Sequence, residues 1–184
     1  MADNITATYV YMLLESAQSG IIKGESLDAA HPNEIQLTSF DMGVANPNKS
    51  AGDGDWKPDF PPLKVTIIPS RASPFLFKAA CDGALFKRLT ISCRKTGAKK
   101  SGEANGDYMQ WRFHNVRVVD YQLKVDDDTP DETIEFSYQV VEMVYIQQSQ
   151  SGTLDDMFQR GWMVGKNKEF AELTLPYKGG GAKG

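Results

Sequence analysis

Residues 108–146 read YMQWRFHNVRVVDYQLKVDDDTPDETIEFSYQVVEMVYI, and this stretch decides the fold. Two long runs, 108–125 and 133–146, alternate polar with apolar or aromatic residues as half-buried strands do. Between them Asp126-Asp127-Asp128-Thr129-Pro130-Asp131 is an acidic turn whose proline and aspartates fix a reversal, so the runs form a hairpin. The alternation slips along both. Met109, Trp111 and Phe113 share one face, Val116 and Val118 take the other, and Val119, Tyr121 and Leu123 return to the first. In the second run Ile134, Phe136, Tyr138 and Val140 give way to Val141, Met143 and Tyr145. Such slips mean a bulge or a change of face, as when long strands bend to close a barrel or turn a corner between sheets.

Upstream, residues 85–94 read as a further strand, and 97–107 as a polar loop. Residues 72–82 read as one short helix, with Ser73 as N-cap, Pro74 at the first helical position and Gly83 just past the C-cap. Leu76, Ala79 and Ala80 lie at helical spacing, and the alanines let the helix approach a sheet closely. Residues 35–40 and 63–68 are two more strands. The 41–62 connection between them is rich in Gly, Asn, Asp and Pro and too long for a hairpin turn, a length that often marks function. Within it Trp56 and Phe60, flanked by Asp53, Asp55 and Lys57, read as aromatic anchors with a polar rim. Residues 6–14 carry apolar side chains on both faces, so something must cover the second face. Downstream, 153–160 reads as a helical turn, 161–164 as a strand, 170–175 as an added strand and 178–184 as a glycine-rich tail. The expectation is one all-β domain over residues 1–177: a closed or nearly closed barrel of two sheets with one short α-helix packed on its side.

The chain has 184 residues, enough for one substantial core, and a formal charge of −4, which disfavours a nucleic-acid partner. No apolar run approaches the roughly 20 residues of a membrane span. Asp3 stands where a signal peptide would be basic, so the expected site of folding is the cytoplasm. Cys81 and Cys93 make no disulfide framework, and each sits in an apolar stretch as a reduced, buried packing residue. No nucleophile elbow, P-loop, HExxH or CxxC occurs, and His31 and His114 read as structural. The expectation is therefore no enzyme, no metal and no cofactor; the aspartates of the turn read as a solvated tip, not a calcium loop.

Lys23-Gly24-Glu25-Ser26, followed by Asp28, His31, Glu34-Ile35, Ser39-Phe40 and Gly43, has an order and spacing that continue as Arg71-Ala72-Ser73-Pro74-Phe75-Leu76, Cys81-Asp82-Gly83, Leu89-Thr90-Ile91 and Arg94-Lys95-Thr96-Gly97. The pattern resembles the Hcp proteins, tube subunits of the type VI secretion system. It departs from them at Ser70, where many members carry aspartate, and in the tail after Asn167. The resemblance implies head-to-tail hexameric rings stacked into a hollow tube, expelled by a contracting sheath, tipped by a spike and able to carry small effectors in its lumen. It also implies a protein cytoplasmic before firing and then secreted without a signal peptide. Glu25, Ser26, Asp28 and the 41–62 loop, with Asp53, Asp55, Trp56 and Phe60, are the expected contacts between subunits and rings, and Ser73 and Pro74 a second contact region. In such a ring the second apolar face of residues 6–14 would be buried by a neighbour. The rival reading is a monomeric β-sandwich binding module that uses Trp56, Trp111 and Trp162 as contact platforms.

Overall fold

The structure is a computed structural model and describes residues 8–47, 56–95, 106–126, 129–148 and 154–172. In chain order the elements are β1 (Thr8–Ser16), β2 (Gly20–Ile22), β3 (Ile35–Asp41), β4 (Leu63–Ile67), α1 (Ser73–Asp82), β5 (Phe86–Lys95), β6 (Asp107–Asp126), β7 (Thr129–Ser137), β8 (Val140–Gln148), β9 (Leu154–Met163) and β10 (Lys168–Glu169). Six strands close a barrel in the order β6-β5-β1-β3-β4-β7 and back to β6, and β8, β9 and β10 continue from β6 as a wing.

The joint between barrel and wing is β6. Its first half, Met109 to His114, pairs with β8, while Arg117 to Asp126 pairs with β7. The break falls at Asn115, which takes φ 53°, a left-handed conformation that asparagine tolerates better than most residues. Asn115 Nδ2 donates to Gln139 Oε1 at 3.0 Å, and the Gln139 N–H donates to the His114 carbonyl at 3.0 Å. Phe113 and Val116, three residues apart, consequently both point into the core. A second register shift between Val118 and Asp120 turns Val119 out to solvent. These are the two slips legible in the alternation. The hairpin after β6 is as expected but its turn is shorter: Asp126, Thr129, Pro130 and Asp131, expected in the turn, are paired strand residues, with Asp126 opposite Thr129, and residues 127–128 lie outside the described residues.

Inside the barrel Met12, Leu14, Leu63, Leu89, Phe113 and Phe136 are fully buried, and Phe113 meets Tyr138 edge-on at 4.8 Å. The opposite face of β1, β5, β6 and β8 is also shut off from solvent, but it is largely polar. One cross-strand row runs Leu13, Thr90, Arg112, Glu142, and none of the four is more than 3% exposed. Most of the second apolar face of β1 is therefore covered within the subunit: Tyr11 and Leu13 are buried in the isolated chain, and His31 stacks on Tyr11 with ring centroids 4.5 Å apart, while Tyr9 of the same face stays exposed. For Tyr11 and Leu13 that corrects the expectation that a neighbouring subunit buries this face.

Other readings also change. Ser73 does not cap α1: the N-cap is Ala72, already helical at φ −76°, ψ −26°, and Ser73 Oγ accepts the Ser70 N–H at 2.9 Å to close the preceding turn. Gly83 ends the helix as expected, left-handed at φ 66° with its N–H on the Ala79 carbonyl. The helical turn expected over 153–160 is part of β9, because the long edge of β8 recruits it as a strand. Of the added strand at 170–175, only the Phe170 N–H to the Gly161 carbonyl remains; β10 is Lys168–Glu169, and residues 173–175, like the 178–184 tail, lie outside the described residues. The second run of the long hairpin is two strands, β7 and β8, and the short β2 had no counterpart in the sequence reading. Cys93 is buried, and burial pushes its thiol up to about 12, whereas Cys81 is exposed because it lies on the outer side of α1.

Candidate assembly surface

β2 and β3 line the same edge of β1, Ile22 opposite Leu14 and Ile35 opposite Met12, so residues 23–34 leave that edge and return to it. The neck of this loop is closed by backbone hydrogen bonds from Gly24 to Asn33 (2.7 Å), Ser26 to Glu34 (3.1 Å) and Asn33 to Ser26 (2.9 Å). The two sides approach so closely that a β-carbon on Gly24 would stand 2.3 Å from the Glu34 carbonyl oxygen. Glycine is required there for contact, not for its dihedral freedom. Gly24→Ala is expected to cost about 1–3 kcal/mol, as overpacking against rigid backbone does, and to lower the melting temperature by roughly 2–4 °C per kcal/mol. An unchanged thermal transition would mean that the neck opens freely.

Arg71 clasps the neck from the segment entering α1. Its backbone N–H donates to Glu25 Oε1 at 3.0 Å, its Nη2 to Asn33 Oδ1 at 2.6 Å and its Nε to the Gly24 carbonyl. Inside the loop Ser26 Oγ accepts the Asp28 N–H at 3.2 Å. Asp28 Oδ1 accepts from the Ala30 N–H and from Arg94 Nη1, each at 2.8 Å. Burial alone would raise the Asp28 carboxyl, but the Ala30 N–H, Arg94 and His31 outweigh it and hold its pKa below the ordinary value. His31 is fully buried, its Nδ1 3.0 Å from Glu34 Oε2 and its Nε2 2.9 Å from Asp107 Oδ1. Burial disfavours the imidazolium, yet the hydrogen bonds to Asp107 and Glu34 prevail and push its pKa up to about 9.

The residues read from the sequence thus fall into two groups. Glu25, Ser26, Ser73 and Pro74 lie where the 23–34 loop meets the segment entering α1, while Asp28 of the same loop is bonded instead to Arg94 of β5. Ser26 and Asp28 are spent on internal bonds, while Glu25 and Pro74 remain exposed. Leu27, 99% exposed at the tip, was missed, although a leucine inside a polar turn is the signal that could have found it. The second group lies against the wing. The 41–62 loop folds back on itself through paired backbone bonds between Ala45 and Asp59, at 2.9 and 2.7 Å. Phe60 packs edge-on to Tyr138 of its own barrel at 6.5 Å. Trp56 stays 55% exposed, its carbonyl accepting from Asn167 Nδ2 at 3.1 Å. Asp53 and Asp55 lie outside the described residues.

Met42, Val44 and Phe60 of this loop face Trp111, Met143 and Trp162 across an open, strongly apolar groove of about 380 Å3. Among the described residues no group of three or more His, Cys, Asp and Glu side chains is placed to hold a metal ion, and no helix is long and apolar enough to cross a membrane.

The described residues thus form a closed β-barrel with a wing of further strands, an exposed loop tip and exposed apolar patches. The chain belongs to the Hcp family of type VI secretion system proteins: the family model described as type VI secretion system effector, Hcp, matches residues 11–145. Among solved structures, one described as a type six secretion system protein superposes with TM-score 0.75 at 27% identity, covering 89% of this chain and 100% of that one. Hcp1 from Salmonella typhimurium gives TM-score 0.66 at 23% identity over 89% and 100% of the two chains. The secreted protein Hcp3 from Pseudomonas aeruginosa gives 0.61 at 20% identity over 83% and 97%. No curated protein sequence matches the chain.

Proposed function

We propose that this chain is the tube subunit of a type VI secretion system: six copies close head-to-tail into a ring, and rings stack into a hollow tube that sheath contraction expels. The family match over residues 11–145 carries this reading. The outer edge of β9 before Gly161, which no strand among the described residues pairs, and the apolar groove support it, since both are liabilities in a solitary subunit and assets in a closed assembly. In this reading the subunit waits in the cytoplasm, meets a spike at the tube tip, carries small effectors in the lumen and leaves the cell with them. Its role is mechanical, without catalysis or cofactor. Light scattering of the purified protein at tens of micromolar should give a hexameric mass, and electron micrographs should show rings; a monomeric mass would overturn the reading in favour of a solitary binding module.

Trp56 and Phe60 should separate in their effects. Phe60→Ser removes a ring packed on the subunit's own core and should cost on the order of 1–2 kcal/mol in thermal unfolding, less than a fully buried phenylalanine. Trp56→Ser, at an exposed site, should leave unfolding within about 0.5 kcal/mol while reducing ring stacking and secretion. Equal losses of stability in both variants would place Trp56 in the subunit's own fold. Glu25 and Pro74, the exposed members of the other group, are proposed as a second contact between subunits.

A further inference from the structure

The end of β6 and β7 projects past the barrel. β4 accompanies β7 only as far as Glu132, and β5 leaves β6 at Val116, so the arm of β6 and β7 beyond these points is a two-stranded hairpin with an open outer edge. Tyr121, Leu123 and Val125 alternate onto one side of it. Leu123 and Val125 are 57% and 63% exposed, and Phe77 of α1, edge-on to Tyr121 at 5.8 Å, extends the same apolar patch. At the other end of β6 lies the groove floored by Trp111, Met143 and Trp162.

We infer that the apolar side of this arm seats in the groove of a second copy of the chain, and that this pairing is the lateral contact of the ring; the inference rests on the tube reading above. Three observations favour a second copy as occupant. Tyr121 and Trp111 are ten residues apart on one strand, at most about 33 Å at the rise of an extended chain, and no residue of the arm lines the groove of its own subunit. The charges match: the hairpin tip is acidic in sequence, Asp126 to Asp128 and Asp131, while the one charged residue lining the groove is Arg160. Finally, patch and groove are different surfaces, as a heterologous contact requires, and such a contact closes into a ring when its rotation permits.

The test uses two variants of the full chain. The arm variant carries Leu123→Asp and Val125→Asp, and the groove variant Val44→Asp and Met143→Asp. All but Met143 are more than half exposed, and Val44→Asp alone replaces the groove variant if the pair fails to give a wild-type circular dichroism spectrum. Each variant alone should lose the wild-type assembly, the concentration for association rising about thirtyfold or more, as loss of a central apolar anchor does. Mixed in equal amounts they should form dimers and nothing larger, because one intact arm then meets one intact groove. A mixture that stays monomeric, or a single variant that assembles like the wild type, overturns the pairing while leaving the ring in place. Normal rings that no longer carry a co-secreted passenger would assign the groove to the passenger instead. A wild-type protein that is itself monomeric overturns both this pairing and the tube.

Discussion

Glu142→Ala should destabilise the subunit by about 3–5 kcal/mol, the usual cost of stripping the counter-charge from a buried ion. Glu142 has no exposed surface. It accepts Gln159 Nε2 at 2.9 Å and His114 Nε2, and its Oε2 lies 3.9 Å from Arg112 Nη1, which is buried with it. Burial pulls the Arg112 guanidinium downward, and Glu142 is the charge that opposes this. At roughly 2–4 °C per kcal/mol the melting temperature should fall by about 6–20 °C. The companion Arg112→Met should be similarly harmful, while the double replacement of Arg112 by Met and Glu142 by Leu should recover most of the loss, since a buried pair is often replaceable by apolar residues of similar volume. A loss below about 1 kcal/mol in Glu142→Ala would mean that water reaches this layer.

The second large effect is a pH dependence set by His31. Its folded pKa, about 9, is raised above the ordinary 6.5, so its stabilising contribution is complete below about pH 6.5 and disappears as pH rises through about 9. The size is on the order of 3 kcal/mol, from 1.36 kcal/mol per unit. The charged groups nearby are Glu34 and Asp107, bonded to the ring, with Asp28 and Arg94 beside them. Tyr11, raised to about 12, and Cys93 add their own losses only above about pH 9, where the unfolded chain begins to ionise. The clean measurement is therefore the stability gap between the wild type and His31→Gln in urea at several pH values. That gap should shrink from pH 6.5 to 9.5. A constant gap would show that the ring is neutral in the folded protein.

The long strands were legible because their alternation is strong: β1, β3, β4, β5 and β6 stand within two residues of the runs that foretold them. Even the bulges of β6 were readable as slips of phase, although Asn115 as their hinge was not. The errors share a physical cause. Leu154, Met157 and Phe158 are spaced as on a helix, yet they lie in a strand because β8 offers them backbone partners. Ser73 before Pro74 has the chemistry of a cap, but Ala72 is already helical and the hydroxyl closes the turn behind it. At the candidate surface, Lys-Gly-Glu-Ser was legible as a polar loop, but not the bonds that hold that loop. The partners that hold the loop around it, Arg71, Arg94 and Asp107, bond residues 38 to 76 positions away, and nothing local in the sequence announces them.

Closure of the barrel by β4 against β7 bears on how the chain reaches its fold. Leu63 meets Phe136 and Ile67 meets Glu132, pairings roughly seventy residues apart, whereas β6 and β7 meet across a turn and can zip early. Loop-closure entropy delays such distant pairings, and β1 against β5 is at least as distant, so the edges of these strands stay open until their seams seal. An open edge pairs with any strand in reach. Successful biogenesis of this subunit is thus a race between sealing its own seam and pairing with another unfinished chain, and slow synthesis or dilute refolding should favour the soluble product.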